Sequence, residues 1–171
     1  MIIRTASEDD VSGLVALAGQ VEHWFGPMSR EPGFHAALAR HIGRGTALVA
    51  TADESLAATA DADAHAPAHA ADGVLGGLLF TAKPPCYHVR WLVVDERVRG
   101  AGIGRGLLAE AMHRFVTGPG VVEVVTFGAD HPGASASGAR VFYERLGFIP
   151  AEAAPPGPEG GSRQTYRKVI T

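Results

Sequence analysis

Glycine recurs at every second position from Gly100 to Gly106, between the apolar run Trp91-Leu92-Val93-Val94 and a segment that opens on Leu107-Leu108. Removing four side chains where a strand hands over to a helix leaves backbone N–H groups free to point outward, which is what an anion-binding turn requires. The segment that follows supports the helix. Leu107, Leu108, Ala111, Met112 and Phe115 fall on one stripe at 3.6-residue spacing, and Thr117-Gly118-Pro119-Gly120 stops it. At such a helix start the unpaired N–H groups and the positive end of the macrodipole both favour a phosphate. Spacing excludes two common phosphate ligands. The dinucleotide fingerprint G-x-G-x-x-G needs a glycine at position 105 or 107, where the chain has Arg105 and Leu107, and no lysine between Lys83 and Lys168 supplies the Gly-Lys-Ser/Thr of a P-loop.

The pattern that fits is R-x-x-G-x-G, at Arg99, Gly102 and Gly104. Further on, Ala139-Arg140-Val141-Phe142-Tyr143-Glu144-Arg145-Leu146-Gly147-Phe148 forms a helix ending in Tyr-x-x-x-Gly-Phe. In order and secondary structure, these two blocks resemble the GNAT superfamily of acetyl-CoA-dependent N-acetyltransferases. The resemblance runs from about Ile2 to Phe148 and is firmest from Trp91 onward. It implies an α/β (α+β) fold, with a mixed, largely antiparallel sheet of six or seven strands flanked by about four helices. It also implies acetyl-CoA as acyl donor, with no metal. Arg99, Gly100, Ala101, Gly102, Ile103 and Gly104 match the pyrophosphate turn. Leu92, Val93 and Val94 match a bulged strand whose backbone bonds pantetheine and the acetyl carbonyl.

Length and composition agree with one domain over residues 1–171: the chain is 46% hydrophobic, enough to bury a substantial core. A net charge of −3 without a basic run argues against nucleic acid as the main partner, and against a toxin acting on aminoacyl-tRNA. The lone Cys86 forms no internal disulfide, and nothing near it in sequence activates it as a nucleophile. Met1-Ile2-Ile3-Arg4 lacks a signal peptide's apolar stretch and no segment is long enough to span a bilayer, so a cytoplasmic protein is expected.

In chain order, Ile2–Thr5 reads as a first strand, and Ser7 with Asp10 as a capping box opening a helix that runs to about Glu22. Glu22 to Met28 reads as a loop, and a second helix spans Phe34 to Ile42. Trp24, Phe25 and Met28 either fix that loop to the core or line an acceptor pocket. Strands are expected at Thr46–Ala50, Val74–Phe80, His88–Val94, Val121–Phe127 and Gln164–Ile170. Between the second and third, residues 51–72 are rich in Ala and Asp and read as a mobile loop. Its Asp61, Asp63, His65 and His69 invite a metal reading that an alanine-rich loop does not favour. A fourth helix is expected from Ser135 or Ser137 to Leu146. Seven residues before Tyr143 the family often has asparagine, whereas this chain has Ala136, leaving Ser135 or Ser137 as substitutes.

Acetyl transfer to an amine requires a held thioester, a stabilised carbonyl oxygen, a neutral amine and a leaving thiolate. The resemblance gives the second role to a strand N–H near Val93 or Val94, and thiolate protonation to Tyr143. Tyr143 also lies on an i, i+3, i+4, i+7 stripe with Ala139, Phe142 and Leu146, which is a core pattern. An alkylamine of pKa about 10.4 must lose a proton, and Glu123, His131 and Glu22 are candidate bases, with His88 a fourth. The expected acceptor is a small-molecule amine, and a homodimer is compatible with the family. The rival is a non-catalytic acyl-CoA-binding sensor of the same fold.

Overall fold

The computed structural model describes residues 1–52 and 73–171. From residue 53 on, the expected 51–72 loop lies outside the described residues, and with it Asp61, Asp63, His65 and His69. Seven strands form one sheet: β1 (Ile2–Thr5), β2 (Ala47–Thr51), β3 (Val74–Lys83), β4 (Cys86–Val94), β5 (Gly120–Phe127), β6 (Ile149–Ala154) and β7 (Arg163–Ile170). Their order is β1-β2-β3-β4-β5-β7-β6. Every pairing is antiparallel except β4 with β5, so the sheet is mixed and largely antiparallel as expected.

Six α-helices are present among the described residues: α1 (Val11–Gln20), α2 (Glu22–Phe25), α3 (Pro32–Gly43), α4 (Ile103–Phe115), α5 (Pro132–Ala136) and α6 (Ala139–Arg145). No helix among them is long and apolar enough to cross a membrane. Period-two alternation divides the sheet's side chains between two layers. On one face Phe80, Tyr87, Val122 and Tyr166 pack with Leu107 and Leu108 of α4 and Tyr143 of α6. On the other, Val49, Leu79 and Val93 pack with Leu14 and Leu17 of α1 and Leu38 of α3.

The corner between β1 and α1 is fixed by Asp10. Its carboxylate accepts from the Ser7 N–H at 2.7 Å and from both terminal guanidinium nitrogens of Arg4 at 2.8 Å. The capping box expected from Ser7 and Asp10 is therefore present, but it opens a 3₁₀ turn, Glu8–Asp10, ahead of α1.

Four local expectations need correction. Trp24 and Phe25 do not sit in an irregular loop; they belong to the one-turn helix α2, which Gly26 ends at φ +80°. The expected fourth helix is two short ones, because Gly138 adopts φ +68° and breaks the run between α5 and α6. The tail carries a strand the sequence did not signal: β6 is a sheet edge, exposed along most of its length and containing Pro150, which only an edge strand tolerates. Finally, β3 and β4 run on past Phe80 and before His88 to form one long hairpin.

Candidate functional site

The site lies where β4 and β5 part. Their parallel pairing covers only Cys86–Val89 with Val121–Val124, and β4 runs on to Val94 without a partner on that side. At this point the register between β3 and β4 slips: Leu79 faces Trp91 but Phe80 faces Val89, so Arg90 is an extra residue, a β-bulge. The bulge bends β4 away from β5 just beyond their last shared rung. Downstream, the Asp95 N–H bonds Leu75 O of β3. Strand alternation then turns Val93's backbone groups toward β3 as well, and those of Leu92 and Val94 toward the gap. Val94's carbonyl accepts there from Arg99 Nε at 3.3 Å instead of from a strand. Of Val93 and Val94, only Val94 offers its N–H to the gap.

The glycine turn closes one end. Gly100 and Gly102 both adopt φ +83°, a left-handed conformation that side-chain-bearing residues disfavour, and Gly102 is the N-cap of α4. Gly104 serves a different need. A Cβ there would lie 3.3 Å from the Phe142 ring, so its absence lets α6 approach the helix start. The first N–H groups of α4 have no carbonyl one turn back and point into the gap with the positive helix end.

Together these elements enclose a cleft of about 370 Å³, within the range of small-ligand sites. Leu92, Val93 and Val94 form its floor, the turn from Arg99 to Gly104 one end, and Ser137, Ala139, Phe142 and Tyr143 a wall. Val21, Trp24, Phe25 and Phe127 complete the lining with an aromatic end that meets the glycine turn where Arg99 lies over Trp24. Its charged lining residues are Arg99 and Arg105, and none of the described residues lining it is acidic. Such a cleft can hold a phosphorylated ligand by the turn and an extended apolar arm along β4.

Tyr143 is 6% exposed, and burial pushes its pKa up, so the phenol stays protonated. Its hydroxyl makes no hydrogen bond with the described residues, while its ring packs edge-on to Phe142 and Phe148. Both features fit a group that lines a cleft and packs in the core. Ser137 does line the cleft, but its hydroxyl donates to Gly133 O at 2.5 Å and accepts from the Ala139 N–H. That hydroxyl is spent on joining α5 to α6, while Ser135 and Ala136 are outside the lining.

The candidate bases separate by position. His131 caps α5: its Nδ1 accepts from the Gly133 N–H at 2.9 Å, its ring stacks on Phe127 at 4.6 Å, and its Nε2 lies 3.7 Å from Glu159. Glu22 accepts from the Ser29 N–H at 2.9 Å and from the Ser29 hydroxyl, and these bonds hold its carboxyl below the usual range. Neither lines the cleft, and neither do the other two candidates, Glu123 and His88. Glu123 and His88 face each other on the rung just before the strands part, on the α1/α3 side of the sheet. His88 Nε2 lies 3.3 Å from Glu123 Oε2, while Arg167 Nε donates to Glu123 Oε1 at 2.6 Å. His88 Nδ1 is buried with no partner among the described residues.

The structure adds two residues the sequence did not point to, Phe127 and Arg163, and joins them to Phe25. Phe25 stacks on Phe127 at 4.8 Å, and the Arg163 guanidinium lies 4.7 Å over Phe25 and 5.5 Å over Phe127. Arg99 lies 5.6 Å over Trp24, linking the glycine turn to α2. Phe127 was readable in principle, because period two puts it on the face of Glu123; Arg163 joins only through tertiary packing.

With this geometry in view, comparisons with known proteins become informative. The family model described as an acetyltransferase (GNAT) domain matches residues 61–150, more than half of the chain. No curated protein sequence matches it. Among solved structures, Ard1 from Thermoplasma volcanium superposes with a TM-score of 0.71 at 17% identity, covering 99% of this chain and 97% of that one. A ribosomal-protein-alanine N-acetyltransferase from Brucella melitensis gives 0.67 at 19% identity, covering 99% and 100%. An N-acetyltransferase from Thermoplasma acidophilum, in complex with coenzyme A, gives 0.68 at 16% identity, covering 99% and 98%. At these identities the likeness shows the fold.

Proposed function

The chain belongs to the GNAT acetyltransferase family, and from that premise we propose that its cleft holds acetyl-CoA and passes the acetyl group directly to the primary amine of a small molecule. One observation carries the reading: the parting of β4 from β5 gathers the glycine turn, the free backbone of Leu92 and Val94, and Tyr143 around one cleft. The fit to the donor is good. A left-handed glycine turn at a helix N-terminus suits a pyrophosphate, and unpaired strand groups suit the amides of pantetheine.

The bound thioester supplies an activated acetyl group; the chain does the rest. Arg99 and the N–H groups of residues 100–104 hold the phosphates. Leu92 and Val94 align the arm, and Val94's N–H faces the carbonyl oxygen as negative charge develops there, a donor role worth roughly 3 kcal/mol in well-placed cases. The incoming amine nitrogen bonds the carbonyl carbon as the carbon–sulfur bond breaks. Tyr143, kept protonated by burial, gives its proton to the departing sulfur. The amine's proton leaves toward the His88–Glu123 pair. Both residues lie outside the cleft lining, with Glu123 itself held by Arg167, so the proton reaches the pair through intervening solvent rather than by direct contact.

A small acceptor is favoured because the acceptor end is bridged: Phe25 of α2 meets Phe127 of β5 and Arg163 of β7, which leaves little room for a polypeptide to lie across the sheet. The sensor reading draws on Ala136 and on the engaged Ser137 hydroxyl, which leave the family's asparagine contact unreplaced. Release of free thiol from acetyl-CoA, measured against amines, amino acids, polyamines, aminoglycosides and peptides, separates the two. Turnover with one small-amine class is expected; tight acetyl-CoA binding with no turnover in any class would replace the enzyme with the sensor.

A further inference from the structure

We infer that the acceptor is a monoamine with an apolar body, and that the site discriminates against amines carrying a second positive charge. This inference rests on the acyl-transfer reading of the cleft and names its substrate class.

Three observations on different residues lead to it. First, among the described residues the cleft offers a cation no carboxylate: its charged lining residues there are Arg99 and Arg105. Second, none of the carboxylates on the elements around the acceptor end lines the cleft, and each has a protein partner of its own. Glu22 is bonded to Ser29, Glu123 to Arg167 and His88, Asp130 to Ser162, and Glu159 to Arg163. Third, the aromatic faces that could attract an ammonium by cation–π contact already carry guanidinium groups: Arg99 over Trp24, and Arg163 over Phe25 and Phe127. A second ammonium would therefore meet like charge at each aromatic ring and lose its hydration without compensation. The reacting amine escapes this penalty by giving up its proton.

What the acceptor end does offer is apolar surface. Val21, Trp24, Phe25 and Phe127 wall it. Along β5 the next residue on the same face as Phe127 is Val125, roughly 7 Å away and 53% exposed. Phe127 itself is 1% exposed, so the surface left for an alkyl or aryl tail is that of half-buried Trp24 and Phe25 in the cleft and of Val125 beside it, and covering it returns the ordinary hydrophobic gain.

The test compares heptylamine with hexamethylenediamine, which has the same length but replaces the terminal methyl with an ammonium. Thiol release gives kcat/KM for each, in the wild type and in Val125→Glu, a change at an exposed position that spares the core. The expected wild-type preference for heptylamine is roughly tenfold or more, about 1.4 kcal/mol, and Val125→Glu should shrink it several-fold by offering the second ammonium a partner. Equal or better use of the diamine by the wild type overturns the inference, as does an unchanged ratio in Val125→Glu. Faster turnover of aminoglycosides or polyamines overturns it while the acetyltransferase reading stands. No turnover of any amine, with acetyl-CoA still bound, removes both together.

Discussion

Replacing Tyr143 with phenylalanine separates the proposed acid role of this residue from its packing role, because the two would rest on different atoms. The ring fills core space against Phe142 and Phe148, and phenylalanine keeps that ring. The hydroxyl bonds none of the described residues, so removing it breaks no hydrogen bond in the fold. Tyr143 lines the cleft and its hydroxyl is not among the buried atoms left without a partner, so its loss should leave the melting temperature nearly unchanged. Catalysis should respond differently. A positioned acid typically contributes about 10²- to 10⁴-fold, but a thiol of pKa about 8.5 departs reasonably well without a proton. The expected fall in kcat is therefore about 10- to 100-fold, about 1.4–2.7 kcal/mol, with little change in the KM for acetyl-CoA. Burial raises the phenol's pKa, so its proton is retained well into alkaline pH. The ratio of wild-type to variant kcat should accordingly stay flat from neutral to mildly alkaline pH. Steady-state thiol release across pH, with thermal melts of both proteins, reads each quantity. An unchanged kcat would refute the acid role, and a fall in kcat matched by a large loss of stability would return Tyr143 to the core alone.

Three further perturbations test other parts of the argument. Gly102→Ala places a side chain at φ +83°; it should destabilise by about 1–2 kcal/mol and raise the KM for acetyl-CoA more than it lowers kcat, by melts and steady-state kinetics. Arg99→Ala removes the contacts to Val94 O and Trp24; acetyl-CoA binding should weaken and become less salt-dependent, by titration at two ionic strengths. Asp10→Asn tests the β1–α1 corner. The hydrogen bond from Arg4, and then those from Ser7, hold the Asp10 carboxyl below its ordinary value. Its stabilisation is thus fully present above the unfolded pKa of about 3.9 and is lost as pH falls through the folded value. The variant should be less stable by roughly 1–3 kcal/mol at neutral pH, and the gap between the two melting temperatures should close in acid.

How much of this was legible in the sequence depended on whether the cause was local. The glycine turn was, because the φ +83° of Gly100 and Gly102 is a property of the backbone that only glycine adopts readily. The amphipathic stripe of α4 was equally plain, since Leu107, Leu108 and Ala111 repeat at the helical period and are buried as it requires. The break at Gly138 was missed because the stripe from Ala139 to Leu146 and the serines before it read as one helix when its φ is unknown. Strand β6 was missed for the opposite reason: Ile149-Pro150-Ala151-Glu152 has no alternation to detect, and it pairs only because β7 offers an edge. The pairing of the proposed proton acceptors was the least legible, since the sequence offered Glu123 and His88 only as separate candidates. His88 and Glu123 are far apart in the chain, and the parallel register that pairs them is set by the crossover through α4, which no local pattern encodes.

That crossover also explains why the chemistry sits where it does. One short parallel pairing joins an antiparallel block, β1 to β4, to a second, β5, β7 and β6. The two blocks share one core on the α4 face, but beyond the short joint each can follow its own twist, and the bulge at Arg90 releases β4 just past the last shared rung. The backbone groups freed there would be a liability in a closed sheet; at the mouth of a cleft they become donors and acceptors for a ligand. In the proposed reading, donor and acceptor functions then fall on different blocks. The floor and the glycine turn belong to β4 and α4, while the aromatic end is built by α2 together with β5 and β7. The Arg99–Trp24 contact spans the two. Changes in acceptor preference at Val125 or Arg163 should therefore leave the donor turn intact, whereas a change at Trp24 reaches Arg99 and alters both at once.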